Sequence, residues 1–276
     1  MDKKVCFICP HHCSLEENKI GFCRARKNKG GKIQSINYGQ ITSIALDPIE
    51  KKPLYHYYPG SKILSIGSFG CNLRCSFCQN HEISMADIEQ SHTHYLSPSD
   101  LINIALQYVP QNNIGIAFTY NEPLIGYEYV RDTAKLSHDK KLKNIVVTNG
   151  NFCTDSISEF FPLIDAMNID LKAFSSNFYD KISGDLNTVK EFIQTSYNYC
   201  HIEITTLIIP GENDSAKEIQ ELSSWLASIN PDIPLHLSRF FPRYNMLNKN
   251  ATDIKSIQNL AETARRKLHY VYLGNC

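Results

Sequence analysis

The sequence predicts an α/β protein whose core is a parallel sheet of six βα units, preceded by a small Cys-rich amino-terminal extension. Three observations lead there. From Lys62 onward, short and nearly continuous apolar runs alternate with amphipathic stretches, as expected for strands buried on both faces and helices covering them. Polar residues recur just past the carboxyl ends of those runs, the edge at which parallel α/β folds bind ligands. Residues 1–60 read differently, being rich in Cys, Lys and Gly, then β-branched, then proline-rich. The chain therefore divides into residues 1–60, a Cys-rich metal-binding extension with a hairpin, and residues 61–276, the core.

The strand runs are 62–70, 114–120, 144–150, 166–171, 202–210 and 235–241, with 269–274 as one more. Helices are expected over 97–109, 124–139, 187–199, 214–229 and 251–267. Ser97 with Asp100, and Ser215 with Glu218, have the spacing of capping boxes. Upstream, residues 32–46 carry β-branched residues around Tyr38-Gly39 and predict a hairpin. Asp47 to Gly60, with three prolines, reads as an ordered loop. Periodicity alone leaves a parallel barrel and an open doubly wound sheet equally compatible.

The length of 276 residues suits one large domain or a domain with an appendage. Lys plus Arg and Asp plus Glu are both 28, so no global basic charge favours nucleic acid. No apolar run reaches the ~18 residues of a membrane span, and the amino terminus lacks an apolar export segment. A cytoplasmic protein is expected.

Seven of the ten cysteines fall into two groups. Cys71-x3-Cys75-x2-Cys78 brings three thiols together at the end of the first core strand. Three thiolates leave one iron of a four-iron cluster open, whereas structural zinc takes four ligands, here only with His81 as the fourth. Asn121, Glu122, Thr148, Asn149, Asp170, Lys172 and Arg239 follow later strands. Glu203, Thr205 and His236 lie within the fifth and sixth, and Tyr244 lies beyond them. These last residues, with Arg239, are candidates for lining a cavity or for ordinary strand and surface packing. Cys6-x2-Cys9-x3-Cys13-x9-Cys23 can close a tetrahedral zinc site, hold an auxiliary iron–sulfur cluster, or take His11 or His12 as a ligand. Cys153, Cys200 and Cys276 read as isolated thiols.

GCNLRCSFCQN, with Phe77 before the third cysteine, resembles the radical S-adenosylmethionine superfamily. The resemblance covers roughly residues 62–274 and implies a partial (βα)6 barrel. It implies a [4Fe-4S] cluster on Cys71, Cys75 and Cys78, whose open iron chelates S-adenosylmethionine. Electron transfer then gives a 5′-deoxyadenosyl radical that abstracts hydrogen from a substrate. TYNEP (Thr119–Pro123) stands where that family carries Gly-Gly-Glu, which gives Asn121 and Glu122 the contact with the cofactor's amino group. VTNG (Val147–Gly150) and DLK (Asp170–Lys172) resemble activating enzymes of glycyl radical enzymes, pyruvate formate-lyase activase in particular. By that resemblance Thr148 and Asn149 lie at the cofactor, and Asp170 and Lys172 face it. The activase Asp–Thr pair that helps hold a monovalent cation reads Val147-Thr148 here. With DPIEKKPLYHYYPGS and LHLSRFFP added, the narrower resemblance is to the radical enzyme of the AmmeMemoRadiSam group, an activase-like set.

The resemblance implies hydrogen abstraction from a protein, with flavodoxin or ferredoxin as electron donor. A peptide, RNA or small-molecule substrate is the alternative within the same chemistry. From another class, the chain reads as a zinc-containing nucleic-acid or protein-binding module whose barrel is only structural. The polar residues recurring at strand ends argue against that reading.

Overall fold

A computed structural model describes residues 3–276. Eight strands form its main sheet: β1 (Ser43–Pro48), β2 (Lys62–Gly67), β3 (Asn113–Phe118), β4 (Lys143–Thr148), β5 (Ala166–Asp170), β6 (His201–Ile208), β7 (Leu235–Arg239) and β8 (Val271–Gly274). Their spatial order is the chain order, β8-β7-β6-β5-β4-β3-β2-β1. All neighbours from β2 to β8 are parallel, and β1 is antiparallel to β2. The order never reverses, as a doubly wound sheet's must at its switch point, and the sheet stays open between β1 and β8, so the architecture is the partial barrel.

Five helices cover the outer face: α1 (Pro98–Gln107), α2 (Tyr127–Asp139), α3 (Leu186–Tyr197), α4 (Ala216–Ile229) and α5 (Ile254–Arg265). Ser97 Oγ accepts from Asp100 N, and Ser215 Oγ accepts from Glu218 N at 3.1 Å. The expected second half of the α4 capping box is absent. Glu218 Oε1 accepts instead from Phe174 N at 2.7 Å, which ties the helix to the loop after β5. Between β4 and β5 the crossover is a 3₁₀ segment, Thr154–Leu163, broken at Ile157 and carrying Pro162.

The interior of the barrel is filled from below by the proline-rich loop. Ile49 and Leu54 pack against Ile63, Ala117, Ile145 and Ala166, all at 0% exposure. Lys52 Nζ donates to Asp47 Oδ2 at 2.8 Å on the β1 side, and Asn168 Nδ2 donates to Pro53 O at 2.8 Å. Tyr55 N and His56 N donate to the two Glu203 oxygens at 3.0 and 2.7 Å on the β6 side. The loop is thus a strap across the barrel floor, and the division at residue 60 falls inside the β1–β2 connection.

The hairpin expected around Tyr38-Gly39 is not formed. Arg26–Lys29 pairs with Lys32–Ser35 around Gly30-Gly31, with φ of +61° and +73°. Two successive left-handed positions are what a tight hairpin turn requires, and adjacent glycines meet that need better than Tyr-Gly. Residues 40–41 pair with 94–95.

In the parallel sheet, register aligns Asp170, Thr205, His236 and Tyr272 across β5 to β8. Of these, Asp170, Thr205 and His236 line the barrel cavity. Asn168 and Glu203 are partners one layer deeper.

Candidate active site

The cysteine loop leaves β2 through Gly70, whose φ is +86°. A Cβ there would lie 2.5 Å from Cys23 O, so only glycine lets the amino-terminal segment approach the loop this closely. Cys71, Cys75 and Cys78 all line one cavity of about 560 Å³ inside the barrel mouth. All three are free thiols. Burial raises the Cys71 thiol well above its ordinary value, and the Glu122 charge adds to this. Burial pushes Cys75 up to about 12, partly offset by Lys172. Such buried thiols give up their protons only to a compensating positive centre.

The loop is fixed by residues that sequence reasoning did not single out. Asn72 is fully buried. Its Nδ2 donates to Asn151 O, its Oδ1 accepts from Asn149 Nδ2, and its carbonyl meets His11 Nε2, each at 2.8 Å. Arg74 donates to Cys71 O at 3.0 Å and to Phe22 O, and lies 3.8 Å over the Phe22 ring. The usable signal was their place between the cysteines: a loop of three thiols needs its backbone held by neighbouring polar side chains.

The strand-end residues divide into two sets. Asp170 and Lys172 line the cavity and pair at 3.0 Å. Burial works against the Lys172 ammonium, yet Asp170 and Cys75 overcome it and hold its pKa above the ordinary value. Phe77 lines the cavity and packs against Phe178 at 6.0 Å. Thr205 and His236 line it as well.

Asn121, Glu122, Thr148 and Asn149 also line the cavity, but their polar atoms are largely turned into the framework. Asn121 Nδ2 donates to Phe69 O and Gly70 O, both at 3.1 Å, and Oδ1 accepts from Ser68 N at 2.9 Å. Glu122 accepts from Leu124 N at 3.0 Å, and from Thr148 Oγ1 and Asn149 N at 2.8 Å each. Burial raises Glu122 to about 7 against those hydrogen bonds. These four residues therefore hold the β2, β3 and β4 ends together, and the carboxylate keeps one lone pair, on Oε2, for a cation.

Three candidates lie off the cavity, Glu203, Arg239 and Tyr244. Glu203 sits two residues before Thr205 on the same strand face, hence one layer deeper, fully buried beneath the strap. Arg239 follows cavity-lining Ser238 and so takes the opposite face of β7; its Nε donates to Thr252 O at 2.6 Å. Tyr244 stacks on His81 at 4.3 Å, and neither lines the cavity, so His81 does not complete a set with the three thiols.

At the amino terminus, Cys6, Cys9 and Cys23 are buried and Cys13 is half-buried. Burial pushes Cys9 up to about 12, and the other three thiols add to it. Phe22 N donates to Cys13 Sγ at 3.4 Å, and backbone N–H groups of His11, Ala25 and Arg26 favour the charged sulfurs of Cys9 and Cys23. That donor pattern suits metal thiolates. His11 is used by Asn72, and His12 Nε2 faces Cys153 Sγ at 3.6 Å. Cys153 thus belongs beside this group rather than apart from it. Among the described residues no three His, Cys, Asp or Glu side chains stand as the ligand set of a single metal ion. Thiolates of a four-iron cluster sit farther apart, each on its own iron.

The profile of the Radical SAM superfamily matches residues 65–223, more than half of the chain, and the protein belongs to that superfamily. The uncharacterized protein MJ0808 of Methanocaldococcus jannaschii is 35% identical over 99% of this chain and 82% of its own length. The pyruvate formate-lyase-activating enzyme of Clostridium pasteurianum is 23% identical, covering 72% of this chain and 85% of its own. Among solved structures, Streptococcus suis SuiB bound to precursor peptide SuiA superposes with a TM-score of 0.58 at 15% identity, covering 75% of this chain and 47% of that one. The superfamily implies a [4Fe-4S] cluster and S-adenosylmethionine, and the three cavity thiols beside the Asp170–Lys172 pair fit both. Among the described residues no helix is long and apolar enough to cross a membrane.

Proposed function

We propose that this protein cleaves S-adenosylmethionine reductively and abstracts hydrogen from a protein or peptide segment held in the barrel. The observation that carries the reading is the cavity itself: Cys71, Cys75 and Cys78 open onto the space lined by Asp170, Lys172, Thr205 and His236. When bound, a [4Fe-4S] cluster with S-adenosylmethionine on its open iron supplies the electron that breaks the sulfonium C–S bond and frees the 5′-deoxyadenosyl radical. The protein's own part is binding and orientation. Lys172 donates to the cofactor's carboxylate, and Asp170 holds that ammonium in place. Glu122 receives the amino group with its remaining lone pair. Asn149 and Asn72 fix the cysteine loop, and the strap seals the floor against water. The likeness to an activating enzyme and to a peptide-bound structure supports a polypeptide substrate.

Cys6, Cys9, Cys13 and Cys23 hold zinc or an auxiliary cluster in this reading; their shared burial and the backbone N–H groups on their sulfurs support metal binding, and zinc would need the four sulfurs to draw closer than they stand. The electron donor is flavodoxin or ferredoxin, and the working compartment is the cytoplasm. The test is anaerobic reconstitution with iron and sulfide, then assay of 5′-deoxyadenosine. A partner protein that raises the yield and acquires a radical signal supports the reading. Iron-free protein holding only zinc at Cys71, Cys75 and Cys78 overturns it.

A further inference from the structure

Opposite the cysteines, the cavity wall on β6 and β7 carries polar chemistry that the cofactor roles leave unused. His236 is 3% exposed and lines the cavity. Its ring is clamped, stacked on Tyr272 at 5.4 Å and met edge-on by Tyr55 at 4.7 Å. Its Nε2 lies 2.6 Å from Glu203 Oε2. Burial opposes charge on Glu203, but hydrogen bonds from His201, His236 and two backbone N–H groups win and lower it to about 2. An ionised carboxylate only accepts, so Nε2 is the protonated nitrogen. The other ring nitrogen, Nδ1, has no partner among the described residues. The Ser238 and Tyr55 hydroxyls, on the same cavity, are likewise without partners there.

The charged groups of the cavity are by contrast paired within the protein, and Lys172 and Glu122 are assigned above to the cofactor. Lys51 and Lys52 bind Asp47, Glu50 accepts from Gly60 N, Lys172 binds Asp170, and Glu122 is enclosed by β4. What remains open is one fixed ring nitrogen on β7, with the Thr205, Ser238 and Tyr55 hydroxyls on the same cavity. With a lone pair on Nδ1 that set matches a neutral amide, N–H to the ring nitrogen and C=O to a hydroxyl; with a proton there it would match an anion instead. We propose that His236 Nδ1 binds a backbone amide N–H of the substrate, with Ser238 and Tyr55 on the neighbouring carbonyl, so that this wall orients a polypeptide segment beneath the radical. The inference rests on the polypeptide reading above and gives it a binding site.

The test is nitrogen NMR of the anaerobically prepared holoprotein labelled with ¹⁵N-histidine, the His236 signals being identified by their loss in His236→Gln. The probe is triglycine capped at both ends, with sodium acetate as the anionic comparison. The free protein should show the Nε2-protonated tautomer. Capped triglycine should shift Nδ1 saturably and leave Nε2 in place, and acetate should do neither. Ser238→Ala or Tyr55→Phe should raise the half-saturating concentration about fivefold, the loss of one neutral hydrogen bond. An Nδ1-protonated ring, no response to triglycine, or an equal response to acetate overturns the proposal. None of these signals requires turnover, so failure here is distinct from failure to form deoxyadenosine.

Discussion

Asn149, at the end of β4, donates through Nδ2 to Asn72 Oδ1 at 2.8 Å, so the third parallel strand grips the loop that carries the three cavity thiols. The same Asn149 supplies its backbone N–H to Glu122. One residue thereby couples the cysteine loop to the polar ends of two strands. Asn149→Ala removes the bond to Asn72 and the one its Oδ1 accepts from Asn151 N, leaving a buried acceptor and a buried donor unsatisfied. It should cost about 1–3 kcal/mol in urea unfolding. The reconstituted variant should also release iron faster, followed by the decay of its visible absorbance under a chelator. Iron retention equal to that of the unchanged protein would show that the bond does not hold the loop.

Gly70→Ala tests the contact between the amino-terminal segment and the cysteine loop. Its left-handed backbone and the 2.5 Å approach to Cys23 O leave no space for a methyl group. The backbone strain alone costs ~1–2 kcal/mol. Limited proteolysis should cut the variant first within residues 3–36, with the barrel surviving longer. Cleavage uniform along the chain would contradict a local undocking.

The two cysteine groups should separate by metal and by product. Any of Cys71→Ala, Cys75→Ala and Cys78→Ala should abolish deoxyadenosine formation, because two thiolates hold a four-iron cluster poorly. Cys9→Ala should lose metal and thermal stability together, since metal affinity at such a site is folding free energy. The folded fraction should keep making deoxyadenosine. Metal analysis decides the amino-terminal site: loss of zinc marks a structural knuckle, and loss of iron marks an auxiliary cluster.

Lys172→Met probes the charge facing the cofactor. Removing a charge-assisted hydrogen bond of ~1.5–3 kcal/mol should weaken S-adenosylmethionine binding about 10- to 150-fold. Equilibrium dialysis on the anaerobic protein measures it. Unchanged affinity would mean that Lys172 serves only Asp170.

Much of this was legible in the sequence because it rests on local rules. Continuous apolar runs gave β2 to β8, and Ser97 and Ser215 marked true helix starts. The cysteine spacing singled out three thiols that line one cavity. What the sequence hid depends on contacts between distant residues. The barrel floor is made by residues 47–57, whose role depends on Asn168 and Glu203, more than a hundred positions away. Arg239 stands at a strand end, yet the period of two turns it away from its cavity-lining neighbour Ser238. Cys153 looked solitary because its nearness to His12 arises only when the loop after β4 packs on the amino-terminal segment.

Glu203 supplies the pH prediction. Its folded pKa of about 2 lies below the ordinary value of 4.5, so the folded state binds its proton less readily than the unfolded one. The resulting stabilisation is fully present above pH 4.5 and is lost as pH falls from there toward 2. A shift of that size corresponds to roughly 3 kcal/mol. Glu203→Gln still offers an oxygen to the strap's N–H groups but cannot ionise. It should be less stable than the unchanged protein at pH 7, and the difference should shrink steadily below pH 4.5. Urea midpoints measured across that range, with the His236→Gln variant as a second background, give the comparison. A difference independent of pH would mean that Glu203 holds the strap by shape alone, and that its charge does not fix the His236 ring.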